Sequence, residues 1–135
     1  MTKLYSLPAG ASIPESIIAI ASKEKIHTAG VAAIGGVEGV RLAYFNHEKK
    51  KYEEREFKGF YEVTGLLGNI TRKQGKPFLH VHGTFGGRDM SVIGGHVLGA
   101  RVFPLLEVVL TPTKNRAFRR FDEATGLNVV YKTDG

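Results

Sequence analysis

Three of the five histidines lie in one glycine-rich stretch, which reads HVHGTFGGRDMSVIGGHVLGA from residue 80 to residue 100. His80 and His82 are separated by a single valine, and His96 follows a pair of glycines. Neutral imidazole is the commonest side-chain ligand of metals in proteins. Three histidines with a fourth position left open are typical of a catalytic zinc site. The residue types therefore indicate metal chemistry, provided that the fold brings the three side chains together.

The strand pattern around these histidines predicts that they meet. Alternate residues of a strand point to the same face, roughly 7 Å apart, so His80 and His82 share a face if residues 78–85 form a strand. A turn follows, and a hairpin loop centred on Asp89 pairs His82 with His96. Directly opposed residues share a face, with Cβ atoms about 5 Å apart. A shift of one residue would move His96 to the other face and remove the site.

A second interpretation of the same histidines stays open at this point. They can be ordinary strand histidines whose nitrogens are satisfied by backbone groups or by water. The other two, His27 at the predicted end of a helix and His47 in a charged turn, are assigned no role.

Two carboxylates interrupt apolar strands, Glu62 in FYEVTG and Glu107 in LLEVVL. A buried carboxylate needs a cation, a metal or the N–H of a metal-binding histidine. Glu62 and Glu107 are therefore candidate catalytic groups beside a metal, and Asn69 is either a turn residue or a polar member of the same pocket. The alternative for each glutamate is a solvent-facing position on the polar side of its strand.

One helix is predicted at about residues 14–26. Ser12 and Glu15 have the spacing of a capping box, and Pro14 occupies the first turn, where its missing N–H costs little. Isoleucines follow at helical spacing, and Gly30 lies just beyond the predicted end.

The rest of the chain predicts many short strands joined by glycine turns. The run GVAAIGGVEGVRLAYF predicts two strands, or one long strand bent by a bulge at Gly35 and Gly36. Pro104, inside RVFPLLEVVLTP, predicts a sheet edge or a bulge. With one helix or two packed on these strands, the fold class is α+β, a mainly antiparallel β-sheet in a single domain over residues 1–135.

Composition excludes several classes of function. The chain has 135 residues and no cysteine, which rules out disulfides, thiolate metal sites and cysteine nucleophiles, so a transition metal must be held by His, Asp or Glu. Motifs for dinucleotide binding, for a phosphate-binding loop and for a serine nucleophile elbow are absent. No apolar run reaches the ~20 residues of a membrane-spanning helix, and no signal peptide is evident. We therefore expect a cytoplasmic protein.

The chain is basic, with a formal net charge of +6. A positive balance favours acidic partners such as DNA, and basic groups cluster near Lys73 and near Arg119. Aromatic residues are not interleaved with them at the spacing of a base-stacking surface. A solvated, charged surface is the simpler interpretation.

The segments GFYEVTGLLGNIT and PFLHVHGTFGGRDMSVIGGHVLGARVFPLLEVVLTP resemble the PPC domain, which plants and prokaryotes share. The resemblance covers about residues 3–121 and favours the prokaryotic branch, because plant members lack histidines at these positions. It implies an α+β homotrimer in which His80, His82 and His96 bind a metal, usually zinc. It also implies a distant similarity in fold to acetolactate decarboxylase, a zinc enzyme with an H-x-H pair and a third histidine. In that comparison, Glu62 and Glu107 match positions where carboxylates are expected.

Three hypotheses of function follow. The first is a trimeric cytoplasmic protein that holds Zn²⁺ or another divalent metal, with catalysis on a small-molecule ligand left open. The second is a DNA-binding regulator, although the AT-hook that associates plant members with DNA is absent from this chain. The third is a non-catalytic assembly module, with a structural metal or none.

Overall fold

The computed structural model describes all 135 residues, most of which lie in β-strands. Its elements, in chain order, are β1 (Lys3–Pro8), β2 (Ser12–Ile13), α1 (Glu15–Lys23), β3 (Ala29–Asn46), β4 (Lys51–Lys73), β5 (Lys76–Gly86), β6 (Val92–Pro112), β7 (Arg116–Asp122) and β8 (Leu127–Asp134). All strand pairs are antiparallel except a short contact between β4 and β7. The predicted single domain of mainly antiparallel sheet is confirmed, with one helix rather than two.

The helix begins differently from the prediction. Its N-cap is Pro14, and no side chain caps the free N–H groups of the first turn, so the predicted capping box of Ser12 is not formed. Ser12 instead lies in β2, where it is paired with Arg101 of β6. Pairing in the sheet holds Ser12 two residues before the N-cap position, which Pro14 occupies, so its hydroxyl does not cap the helix.

The helix also ends earlier than predicted. Lys25 has a positive φ of 55°, and its N–H donates to the carbonyl of Ser22, while the N–H of Ile26 donates to that of Ala21. This pair of hydrogen bonds around a left-handed residue is a Schellman C-cap. Lys25 therefore ends the helix, and Gly30, which was predicted to lie just past its end, is part of β3.

Four strands pair in a closed circuit. β3 is paired with β4 and with β6, and β5 is paired with the same two strands. The circuit is closed over part of each strand, since residues 76–81 of β5 are paired with β4 alone. Along the paired strands, side chains alternate between the interior and the outer surface. The interior is filled by fully buried side chains such as Val37, Leu66, Phe85 and Leu106, to which α1 adds Ile17.

Glycines and a proline allow the long strands to bend. β3 is one continuous strand whose register with β4 shifts between Ala33 and Gly35, which confirms the predicted bulge. A Cβ at Gly35 would clash with the carbonyl oxygen of Leu105, so β6 can approach only because no side chain is present. Pro104 falls within a register shift between β3 and β6 and has no ladder partner, as a bulge requires.

The last two strands form a hairpin that lies outside the closed circuit. β7 is paired with β8 along its length, but it joins the rest of the sheet through two parallel pairs only, Arg72 with Phe118 and Lys73 with Arg119. The guanidinium of Arg119 lies 5.5 Å from the ring centre of Phe78 on β5. The hairpin thus covers the outer surface near the start of β5.

The outer surface at the opposite end of the sheet is apolar. Leu4 of β1 is opposite Val109 of β6, which is in turn opposite Ala32 of β3. Leu4 is 66% exposed and Ile34, two residues further along β3 than Ala32, is 55% exposed.

No helix has the length and hydropathy needed to span a lipid bilayer.

Candidate metal centre

The hairpin of β5 and β6 brings the three histidines to one face. His82 is directly opposite His96 in the ladder, as predicted from a loop centred on Asp89. The Asp89 carboxylate accepts hydrogen bonds from the backbone N–H and the hydroxyl of Ser91, at 3.0 and 2.6 Å. This local turn sets the register, because the turn length decides which residues of the two strands are opposed.

The distances between the three imidazoles match those of metal ligands. Nε2 of His80 lies 3.3 Å from Nε2 of His82, and one nitrogen from each of the three rings lies within 4.8 Å of the others. Two ligands at the usual zinc–nitrogen distance in a tetrahedral site are about 3.3 Å apart. The nitrogens of His80 and His82 therefore already have the separation that one zinc ion would impose.

The third imidazole carries an unpaired buried nitrogen. Nδ1 of His96 is buried and has no hydrogen-bond partner, and its ring stacks on Tyr52 with 4.6 Å between centroids. A buried polar atom without a partner costs about 1–3 kcal/mol, and buried polar atoms are rarely left in this state. None of the three rings donates to or accepts from a backbone group. These observations fit a divalent metal and speak against ordinary strand histidines.

The surroundings of His80 and His96 lower the pKa of each ring and so favour its neutral form. Burial, followed by the charges of Arg119, His96 and His82, lowers the pKa of His80 to about 4. Burial and then the charge of His82 lower the pKa of His96. Metals bind the deprotonated ring, so at neutral pH protons compete weakly for these two nitrogens.

A glycine of β4 lets this strand pack against the histidine strand. A Cβ at Gly68 would lie within van der Waals overlap of the His80 carbonyl oxygen and 2.7 Å from Cα of Val81. Only glycine permits this approach without moving β5. β4 is continuous through Gly68.

Arg119, which the sequence suggested as part of a basic surface, lies partly inside the fold beside the histidines. Its guanidinium is half-buried and donates to Thr71 Oγ1 at 3.0 Å, to the Asn128 carbonyl at 2.8 Å and to Asn69 Oδ1 at 2.9 Å. Asn69 is itself opposite His80 in the ladder. One signal was available in the sequence, because adjacent arginines on a strand must face opposite ways, so that Arg119 and Arg120 cannot both face solvent.

A cavity of about 350 Å³ opens beside the histidines. His80 and His96 form part of its wall, together with Tyr52, Arg119 and apolar side chains of β8. The size is in the range of small-molecule sites, so a ligand in this cavity would lie against both the metal-binding rings and a cation.

The structure places Glu62 away from the three histidines. It is exposed, and it is opposite Gly86 of β5, four residues and roughly 13 Å along the strand from His82. Its carboxylate is therefore not among the atoms that surround the imidazole nitrogens within one chain.

Glu107 is also exposed and remote within one chain. It is opposite Ser6 of β1 and Ile34 of β3, whereas His96 of the same strand is opposite Ala43. Glu107 lies instead on the apolar outer surface beside Leu4. The catalytic roles of Glu62 and Glu107 stay predictions.

A comparison with known protein families shows to which family the chain belongs. The family model described as the Plants and Prokaryotes Conserved (PCC) domain matches residues 3–114. The chain belongs to this family. The resemblance to PPC proteins is thereby confirmed, and the match ends before β7 begins. A search among curated proteins finds no match.

Three solved structures are similar to this chain over nearly its whole length. The PPC protein of Pyrococcus horikoshii is 31% identical with a TM-score of 0.91, and the match covers 98% of this chain and 92% of that one. A metal-containing protein of Archaeoglobus fulgidus is 34% identical with a TM-score of 0.91, covering 98% and 94%. A protein of Bacteroides thetaiotaomicron, proposed to bind DNA, is 27% identical with a TM-score of 0.91, covering 96% and 90%.

A more distant similarity extends to a known enzyme fold. Acetolactate decarboxylase of Bacillus subtilis is 18% identical with a TM-score of 0.63, and the match covers 87% of this chain and 55% of the enzyme. The predicted similarity in fold is confirmed, and it concerns the fold alone.

Proposed function

We propose that this PCC-domain protein is a cytoplasmic metal-binding protein that holds a divalent metal, Zn²⁺ in the first place, through His80, His82 and His96. The observation that carries the proposal is the convergence of three imidazoles around one point, with a buried nitrogen of His96 left without a partner. The metal-containing relative from Archaeoglobus fulgidus supports it.

A bound Zn²⁺ would act as a Lewis acid with a fourth position open to water or to an oxygen-rich small molecule. The protein's own contribution is to orient the three rings on two paired strands, to stack His96 on Tyr52 and to lower the pKa of His80 and of His96, which favours their neutral forms. Glu62 and Glu107 are proposed to act as a general base or to orient a ligand. Because neither lies beside the histidines within one chain, a direct role would require another subunit to bring the carboxylate.

We also propose that the chain assembles as a homotrimer, as its resemblance to PPC proteins implies. The support in the structure is the apolar outer surface at β1, β3 and β6, where Leu4 and Ile34 are largely exposed. Large exposed apolar patches mark interaction sites, and a second copy of the chain is the occupant that the proposal names.

The test of the metal proposal is the metal content of the full chain, purified without an affinity tag. We expect about one zinc or other divalent ion per chain, held by the three histidines. A His80→Ala/His82→Ala variant should lose it, and a His47→Ala variant, altered at an exposed turn histidine, should keep it. Wild-type protein without metal, or equal metal in the double variant, would overturn the proposal.

A structural role for the metal gives a different result in melting experiments. If the metal serves assembly alone, a chelator should lower both the melting temperature and the fraction of trimer. If the metal serves ligand chemistry, removal should leave the trimer intact at neutral pH, since the core of buried apolar side chains lies on the opposite side of the sheet from the histidines.

DNA binding is the second candidate function, favoured by the net charge of +6 and by the relative proposed to bind DNA. The structure weakens the charge argument, because Arg119 is half-buried and bonded inside the fold. Electrostatic binding to phosphates falls steeply as salt rises. Duplex binding that persists at about 150 mM salt and prefers one sequence would support this candidate. If no duplex binding remains at that salt concentration, the binding at low salt is electrostatic and unspecific.

A further inference from the structure

The cavity beside the histidines contains one cation without an anionic partner. Arg119 makes three hydrogen bonds, all to uncharged acceptors, and forms no salt bridge. A guanidinium has five N–H donors, so one N–H on each terminal nitrogen is left without a protein partner. A half-buried charge that lacks a counter-ion is costly. An anion would offset this cost.

The hydrogen bonds of Arg119 hold its side chain in place before a ligand arrives. Thr71 and Asn69 of β4 hold it from one side, and the backbone carbonyl of Asn128 on β8 holds it from the other. Its guanidinium also lies against the ring of Phe78. A donor fork fixed in this way loses little conformational entropy when it binds a second planar group.

The rest of the cavity wall is mainly apolar. Side chains of β8, namely Leu127, Val129 and Val130, form one wall, and Tyr52 and Phe78 contribute aromatic surface. Arg119 is the one lysine or arginine in the lining, and no aspartate or glutamate is present. Because most of the wall is apolar, the cavity suits an anion with an apolar body better than inorganic phosphate, which has none.

We infer that this cavity binds a small organic carboxylate, with its carboxylate on the free N–H groups of Arg119 and its apolar body against β8. The inference rests on the proposed metal centre, because His80 and His96 line the same cavity and a second oxygen of the ligand would face the metal. The wall that recognises the ligand belongs to the β7–β8 hairpin. That hairpin lies beyond the region matched by the family model.

Titration calorimetry on the zinc-loaded full chain tests the inference. The probes are isovalerate, 2-oxoisovalerate and benzoate, each compared with its neutral amide and with inorganic phosphate. We expect at least one carboxylate to bind about tenfold or more tightly than its amide and than phosphate, as the loss of a charge-assisted hydrogen bond predicts. If no carboxylate binds better than its amide, the inference is overturned.

Substitutions at Arg119 and at its neighbour Arg120 test whether Arg119 is the group that binds the carboxylate. Arg119→Gln should weaken carboxylate binding about tenfold or more while the zinc content stays unchanged. Arg120→Gln, which alters the exposed neighbour on the same strand, should bind as wild type does. Equal affinity in Arg119→Gln and wild type would overturn the inference. If Arg119→Gln fails to fold, Arg119→Lys retains the charge without the planar fork and should show a partial loss of affinity, whereas unchanged affinity would count against the inference.

Zinc content separates the two proposals. If the protein binds zinc but no carboxylate, the proposed function stands and this inference is wrong. If the protein binds no zinc, both are wrong.

Discussion

The charge state of single side chains decides whether the three histidines can hold a metal at neutral pH. The same Arg119 that awaits an anion helps to lower the pKa of His80, after the larger effect of burial. A proton and a metal ion are both cations, so Arg119 disfavours each of them, and an anionic ligand would relieve this repulsion. Metal and carboxylate should therefore strengthen each other's binding, since such coupling is reciprocal.

A pH dependence of stability follows for the metal-free protein. His80 has a folded-state pKa of about 4 against an ordinary value of 6.5, so between pH 4 and 6.5 its ring is protonated in the unfolded chain but not in the folded chain. The free energy of unfolding is therefore highest above pH 6.5 and decreases as the pH falls towards 4. In the presence of a chelator, the melting temperature should fall across this window. A His80→Asn variant should show a shallower fall, and an equal slope would contradict the assignment.

Gly68 gives a second prediction at the scale of one residue. Gly68→Ala places a methyl group against the backbone of His80 and Val81, which must move. We expect a loss of about 1–3 kcal/mol of unfolding free energy, as for other overpacked sites, and weaker zinc binding, because His80 moves with its strand. Gly65→Ala is the matched control on β4, since its new Cβ would have Thr84 Oγ1 at 3.6 Å. Equal melting temperatures and zinc affinities for the two variants would refute this reasoning.

The paired strands show which parts of the site are encoded locally. The opposition of His82 and His96 could be predicted because alternation along a strand and the length of one turn settle it. The bend at Gly35 was visible for a similar reason, in the residue types at one point of the chain. The helix ends were less accurate, because pairing of Ser12 with β6 and the left-handed Lys25 are not evident from residue type.

The β7–β8 hairpin could not be placed from the sequence. Its contact with β4 rests on two residue pairs that are 46 positions apart in the chain. No short pattern records such a distant pairing. The cavity and the role of Arg119 were missed for the same reason, since both exist only once this hairpin crosses β5.

Weak attachment of the hairpin predicts its dynamics. Beyond the two parallel pairs with β4 and the hydrogen bonds of Arg119 to Thr71 and Asn69, it contributes one buried side chain, Ala117. Segments with few buried contacts open locally at low free energy. In hydrogen–deuterium exchange, amides of residues 116–134 should exchange faster than those of 97–110 on β6. A bound carboxylate should slow the hairpin selectively, and protection of both segments to the same degree without ligand would contradict this expectation.

The whole molecule presents an uncovered apolar surface that one chain does not explain. The sequence left open whether Glu107 is buried or faces solvent, and it did not show that Glu107 lies among Leu4, Ile34 and Val109, far along the sheet from the histidines. Distance along a bent strand depends on the global fold, so the sequence could suggest Glu62 and Glu107 as members of a site without showing how far from it they lie.

Assembly can be tested on this surface. Ile34→Glu introduces a charge into the proposed interface, and desolvating an unpaired charge there is costly. We expect the molar mass from light scattering to fall from that of a trimer to that of a monomer. Tyr44→Glu, at a residue of the same strand that is 69% exposed, should remain trimeric. A monomeric wild type would refute the homotrimer proposal.

The metal-binding rings lie on β5 and β6, whereas the wall that faces the ligand lies on β8. This separation has a consequence for evolution and engineering. The exposed faces of a hairpin held by two residue pairs can change sequence without disturbing the strands that carry the histidines. Relatives could thus keep one metal and diverge in the molecules that they accept. Grafting the 116–134 segment between family members that both carry an arginine at position 119 would then transfer ligand preference, while the three metal-binding histidines stay in place.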